Sequence, residues 1–113
     1  IWANQWEPNR SKQRAYECYV QHFGVNKKHM DDDISKVIDE VPKHDLLIGG
    51  YPCQDYSGAC TNARGIEGKK GVLWWDIHKI IKKRPPKFSL LENVDRLIKS
   101  QAKQRGRDFG IML

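Results

Sequence analysis

Apolar residues recur along this chain with two different periods. Tyr16, Tyr19, Val20 and Phe23 fall at i, i+3, i+4 and i+7, the spacing that lines one face of a helix. Asn9 or Ser11 is placed to cap that helix and Gly24 to stop it; Cys18, within it, reads as a core residue. A second stripe, Leu73, Ile77, Ile80 and Ile81, predicts a helix from about Val72 to Lys83, ended by Arg84-Pro85-Pro86 because proline cannot continue it. Around these lie apolar runs of strand length: Ile1 to Asn4, Asp45 to Ile48 ahead of two glycines, and Phe88 to Leu91, the last two read as buried. The acidic run DDDIS, Asp31 to Ser35, is a short strand or its exit loop, and Val37, Ile38 and Val41 suggest a helical turn before Pro42. From Tyr51 to Gly71 the chain carries Gly58, Gly65, Gly68 and Gly71 with no sustained period. Loops that long are usually functional or disordered. Strands alternating with helices predict βαβ units and an α/β fold with a mostly parallel sheet.

Composition bounds this picture without redirecting it. The 113 residues suit a single domain, and 30% charged with 39% hydrophobic is ordinary for a soluble globular chain. No apolar stretch approaches the roughly 18 residues of a membrane span, and no signal peptide opens the chain. Three cysteines, in no paired framework, suggest a reducing cytosolic setting. The formal charge of +6 is uneven: between Lys79 and Asp108 ten basic residues face three acidic ones, a net +7. Such a block suits a polyanion, since lysine and arginine displace counterions from phosphates; a solvated basic surface explains it equally well. The chain opens on IWANQW, as though in mid-strand, and ends on the apolar FGIML. It reads as a piece of a longer protein.

The chemistry gathers at two strand ends. Cys53 follows the predicted strand DLLIGG, and Glu92 follows the strand FSLL, so both side chains should emerge at the carboxyl edge of the sheet, where open α/β sheets bind their ligands. A thiol and a carboxyl group in one pocket allow nucleophilic attack assisted by proton donation. Burial would raise the carboxyl pKa of Glu92 and keep it able to donate near neutral pH. Taken singly, Cys53 is more often a small buried thiol, and Glu92 more often a helix cap or salt-bridge partner. A zinc site from His44, Cys53, Cys60 and His78 is disfavoured, because their spacing matches no usual short ligand pair. A cysteine hydrolase would need a histidine base that nothing singles out.

GGYPCQDYS and, some forty residues later, ENV resemble two signature motifs of the C5-type DNA cytosine methyltransferases. ANQWEPNRSKQRAYECYVQHFG resembles the family's cofactor-binding strand and helix, DDDIS its next cofactor motif, and RGIEGKKGVLWWDIHKII the segment that closes the catalytic loop and begins the following helix. Together these cover nearly the whole chain, in order. The resemblance implies a partial Rossmann-like S-adenosylmethionine-dependent methyltransferase domain over residues 1–113, with a catalytic loop at 51–71. It makes Cys53 the nucleophile toward C6 of a cytosine turned out of double-stranded DNA, and Glu92 the group that bonds or protonates N3. Pro52 would hold the cysteine at a rigid loop entrance, and Asn93 would brace the loop from below. Gln54 would fill space left by the base and, with Ser57 and Arg64, contact DNA.

For the cofactor the resemblance implies Trp6 against adenine, Asp33 accepting from its amino group, and Ile34 and Leu73 as apolar walls. Gln5 stands where the family commonly has a glutamate for the ribose hydroxyls; Glu7 would substitute only if the strand persisted. The family's first strand with its glycine-rich loop, and its downstream motifs, have no counterpart here. The first strand would lie between Ile1–Asn4 and Asp45–Ile48, so its lack leaves strand edges unpaired. The chain alone is therefore expected neither to methylate DNA nor to bind cofactor well, unless missing parts of the domain or a partner chain complete the sheet. A prokaryotic cytoplasmic or nucleoid-associated setting follows. Two rivals stay open: a tRNA cytosine methyltransferase of the same fold, and a non-catalytic nucleic-acid-binding remnant.

Overall fold

The computed structural model describes residues 1–51, 72–98 and 106–113. They divide into two compact units, Ile1–Pro42 and Lys43–Leu113. Each is built on one parallel strand–helix–strand arrangement.

In the first unit, β1 (Ala3–Asn4) pairs in parallel with β2 (His29–Met30), and α1 (Arg14–Phe23) connects them. The helix starts later than either predicted cap. Asn9 sits at φ 61° in a turn, and Gln13 occupies the cap position without capping through its side chain. Glu7 does that work from upstream: its Oε2 accepts from the backbone N–H of Arg14 at 2.8 Å and of Ala15 at 3.4 Å, while Gln13 Oε1 accepts from the Glu7 N–H. A carboxylate on the first helical amides answers both their unmet hydrogen bonding and the positive end of the helix dipole. Gly24, at φ 77°, ends the helix as predicted, its N–H closing on the Val20 carbonyl.

The buried face of α1 is narrower than its period implies. Tyr16, Tyr19 and Val20 are half-buried, but Phe23 is 73% exposed and Cys18 is exposed, not core. Cys18 points off the stripe, and only one short sheet underlies the helix. The imidazole of His29 fills the space beneath, with ring centroids 4.8 Å from Tyr16 and 3.7 Å from Tyr19. After β2 the DDDIS run proves to be exit loop and cap rather than strand. Asp33 Oδ1 accepts from the N–H of Ser35 at 3.0 Å and caps α2 (Ile34–Val37), and a 3-10 turn over Ile38–Glu40 then leads to buried Val41.

In the second unit, β3 (Leu46–Gly50) and β4 (Phe88–Glu92) pair in parallel over five residues, joined through α3 (Val72–Lys83), whose bounds match the prediction. Tyr51 and Trp74 form the core, with Leu73, Ile77, Leu91 and Met112 packed against them. Burying an aromatic side chain of this size contributes about 3 kcal/mol, so this small cluster is a substantial support among the unit's described residues. A 3-10 turn (Asp95–Leu97) and α4 (Arg107–Met112) follow.

The strands are not buried on both sides, as their sequence suggested. On one face of the sheet Leu46, Ile48, Phe88 and Leu90 stand 50–69% exposed, while Leu47, Gly49 and Leu91, on the other, are half-buried. A crossover helix covers one face only, whereas parallel sheets of complete α/β domains are covered on both. Two of the basic residues in the charged block are held in ion pairs, Lys79 to Asp76 and Lys87 to Asp45, each at 2.9 Å. Among the described residues no helix is long and apolar enough to cross a membrane.

Candidate functional site

Both units present their candidate residues at the carboxyl ends of parallel strands. In the second unit the register sets Gly50 against Glu92 at the exits of β3 and β4. Glu92 is exposed, which corrects the expectation of a buried carboxyl group. Its carboxylate makes no hydrogen bond or ion pair among the described residues.

One residue further, Asn93 Nδ2 donates to the Tyr51 carbonyl at 3.4 Å, and its Oδ1 accepts from the N–H of Val94 at 2.9 Å. Tyr51 in turn donates its hydroxyl to Met112 Sδ at 3.1 Å and packs its ring 6.2 Å from that of Trp74. The residue two positions before Cys53 is thus held by its backbone and by its ring. Pro52, Cys53, Gln54, Ser57 and Arg64, with the rest of the 51–71 loop after Tyr51, lie outside the described residues, as does Cys60. Leu73 is half-buried against the Tyr51–Trp74 core.

The first unit carries the other set. Trp6, 40% exposed, follows β1 by two residues, and Asp33 follows β2 by three, so neighbouring parallel strands deliver both to one sheet edge. Asp33 Oδ1 is engaged by Ser35, through its N–H and, at 2.8 Å, its hydroxyl; Oδ2 has no partner among the described residues. Ile34 is half-buried and Gln5 exposed, the Gln5 N–H held on the Met30 carbonyl at 3.0 Å. Glu7 is committed to the start of α1, and β1 does not persist to reach it. Sequence reasoning missed Asn4: its Nδ2 donates to the Asp32 carbonyl at 2.9 Å and its Oδ1 accepts from the Asp32 N–H at 3.3 Å, clamping the two exits together. An asparagine ending a strand was the only signal.

Parallel strand–helix–strand units, with the PCQ sequence following β3 and Glu92 ending β4, are consistent with part of an α/β methyltransferase domain. The chain belongs to the C-5 cytosine-specific DNA methylase family, whose model matches residues 1–113. It is 52% identical to the Type II methyltransferase M.Sau3AI of Staphylococcus aureus over 99% of this chain and 28% of that protein. It is 38% identical to M1.ScrFI of Lactococcus lactis subsp. cremoris over 88% of the chain and 24% of the relative. To M.HhaI of Haemophilus parahaemolyticus it is 33% identical, over 83% and 26%. The chain therefore spans about a quarter of the length of these relatives.

Proposed function

We propose that this chain is the catalytic and adenine-binding part of a DNA cytosine-5 methyltransferase that uses S-adenosylmethionine. The observation that carries the reading is Glu92, exposed at the end of β4, without a side-chain partner among the described residues, and in register with Gly50, three residues before Cys53. Family membership over the whole chain supports it. A thiolate at Cys53 adds to C6 of the cytosine, and the displaced electron pair moves through the ring toward N3. Glu92 bonds or protonates N3, so the added charge is neutralised and C5 becomes nucleophilic. The cofactor, when bound, supplies an electrophilic methyl group for C5. With the demethylated cofactor departing as a neutral thioether, a proton leaves C5 to water, the C6–S bond breaks, Cys53 recovers its electron pair, and N3 returns any proton it took to Glu92. The target base cannot be reached inside a duplex and is turned out of the stack, with Gln54, Ser57 and Arg64 on the DNA.

On this reading Trp6 stacks on the adenine, Asp33 Oδ2 accepts from its amino group and Ile34 supplies an apolar wall; the family resemblance also assigns Leu73 to the cofactor. The bare face over Leu46, Ile48, Phe88 and Leu90, and sheets of two strands each, support the further proposal that the remaining parts of the domain must join this chain before it acts. The bacterial relatives favour a cytoplasmic setting.

Covalent trapping tests the reading. These 113 residues, joined to the flanking segments of M.Sau3AI, would be incubated with cofactor and DNA containing 5-fluorocytosine. Fluorine at C5 cannot leave as a proton does, so the adduct persists. A DNA-linked band abolished by Cys53→Ser is expected, with none from the 113 residues alone. No adduct on DNA, with an adduct on fluorinated RNA, would replace the DNA reading by a tRNA one.

A further inference from the structure

We infer that Gly50 is a positioning residue whose missing side chain makes the seat for the Glu92 carboxylate. The inference rests on the role proposed for Glu92. A Cβ built on Gly50 would lie 3.0 Å from Glu92 Oε2 and 3.7 Å from both the Cβ and the carbonyl oxygen of Glu92. The carboxylate therefore folds back over the Cα of its register partner on β3.

Backbone conformation does not explain the glycine. The described glycines with positive φ are Gly24 and Gly106; Gly50 is not among them, and an alanine fits its backbone. The adjacent glycine makes the contrast. A Cβ on Gly49 would meet nothing within 4 Å among the described residues. Among the described residues, of the pair before the PCQ sequence only the second is required to be small by something beside it, and that something is Glu92.

The physical consequence is specific. A contact of 3.0 Å to Cβ is tighter than ordinary van der Waals spacing, so a methyl group at position 50 makes its neighbour give. Glu92 is exposed and has no hydrogen-bond or ion-pair partner among the described residues, so it yields by rotating about its own side-chain torsions. The fold loses little. The carboxylate, however, shifts by a few tenths of an ångström from the place where it would reach N3; since misplacement by about 1 Å costs on the order of 10²-fold in rate, this smaller shift is expected to cost about tenfold.

The test uses the same full-length methyltransferase with M.Sau3AI flanks, unmethylated bacterial genomic DNA and cofactor carrying a labelled methyl group. Single-turnover rates are followed over hours so that slow variants remain measurable. Gly50→Ala should slow methyl transfer about tenfold, leaving DNA affinity within about twofold and the melting temperature within about 2 °C. Gly49→Ala should match the parent. Rescue separates positioning from mere packing: in a Glu92→Asp background, whose carboxylate is one methylene shorter and no longer overlies Cα, adding Gly50→Ala should change the rate less than twofold, well short of the loss in the parent. Equal losses from Gly49→Ala and Gly50→Ala, an unchanged penalty in the Glu92→Asp background, or a large fall in melting temperature would each overturn the inference. Parent-like transfer by Gly50→Ala, with Glu92→Gln inactive, would overturn it while leaving the role of Glu92 standing. Parent-like transfer by Glu92→Gln would remove that role and the inference with it.

Discussion

The side-chain amide of Asn93 reaches the main-chain carbonyl of Tyr51 at 3.4 Å, joining the exits of β4 and β3 across 42 residues of chain. That donor helps hold the point where the chain leaves β3, two residues before Cys53. Asn93→Asp keeps the acceptor for Val94 N–H but removes the donor and sets a negative oxygen against the carbonyl. A long neutral hydrogen bond contributes about 0.5–1 kcal/mol, so the melting temperature should hardly move. The trapping rate should fall about five- to tenfold, since a factor of ten corresponds to 1.4 kcal/mol of barrier. Trapping at the parent rate would show that the brace has no bearing on Cys53.

Tyr51 separates ring packing from hydrogen bonding. Its hydroxyl donates to Met112 Sδ, a weak acceptor, whereas its ring forms the core with Trp74. Tyr51→Phe should cost less than about 1 kcal/mol and leave trapping near normal. Tyr51→Ala opens a cavity in the only buried cluster of the second unit's described residues and should cost about 3–5 kcal/mol. Thermal unfolding beside the trapping assay reads both. A large loss from Tyr51→Phe would mean that the sulfur contact, not the ring, holds the loop entrance.

The sequence read well wherever a local pattern carried the answer. The bounds of α3 followed from its stripe and the Arg84-Pro85-Pro86 stop, and Gly24 marked the end of α1 because a positive φ favours glycine. Glu92 and Trp6 could be placed at strand exits because their runs are short and apolar. What escaped depends on partners distant in the chain. The cap on Arg14 comes from Glu7, so scanning the positions next to the stripe found the wrong residues. The space over Gly50 is defined by a residue 42 positions away, through a register no local window contains. Exposure of Leu46 and Phe88 depends on what covers the second sheet face, which hydrophobicity alone does not report.

Gln5 and Glu7 make opposite predictions from neighbouring positions. Gln5 is exposed beyond β1 and its backbone is held on Met30. If it faces the ribose hydroxyls, Gln5→Glu replaces neutral by charge-assisted hydrogen bonds, a gain of about 1 kcal/mol and roughly fivefold tighter binding. Glu7→Gln should leave cofactor affinity unchanged and weaken α1 by about 0.3–1 kcal/mol, through loss of the charge on its N-terminus. Calorimetric titration with S-adenosylhomocysteine, beside thermal unfolding of the full-length protein, distinguishes the two. Tighter or weaker ligand binding in Glu7→Gln, with α1 intact, would reassign the ribose contact to Glu7.

His29, in β2, and Trp74 are buried described residues with side-chain nitrogens lacking a hydrogen-bond partner among the described residues, and in His29 both ring nitrogens, Nδ1 and Nε2, lack one. An unsatisfied buried polar group costs about 1–3 kcal/mol, while its stacking on Tyr16 and Tyr19 returns about 0.5–1.5 kcal/mol. Leucine keeps an apolar body in the slot and removes both nitrogens, so His29→Leu should raise stability by about 1 kcal/mol and the melting temperature by about 2 °C. His29→Gln keeps the polar burden and loses the ring, and should lower it. Scanning calorimetry on both variants decides the matter. If leucine destabilised as much as glutamine, the imidazole nitrogens would have a partner in the assembled domain, and His29 would be holding that partner in place.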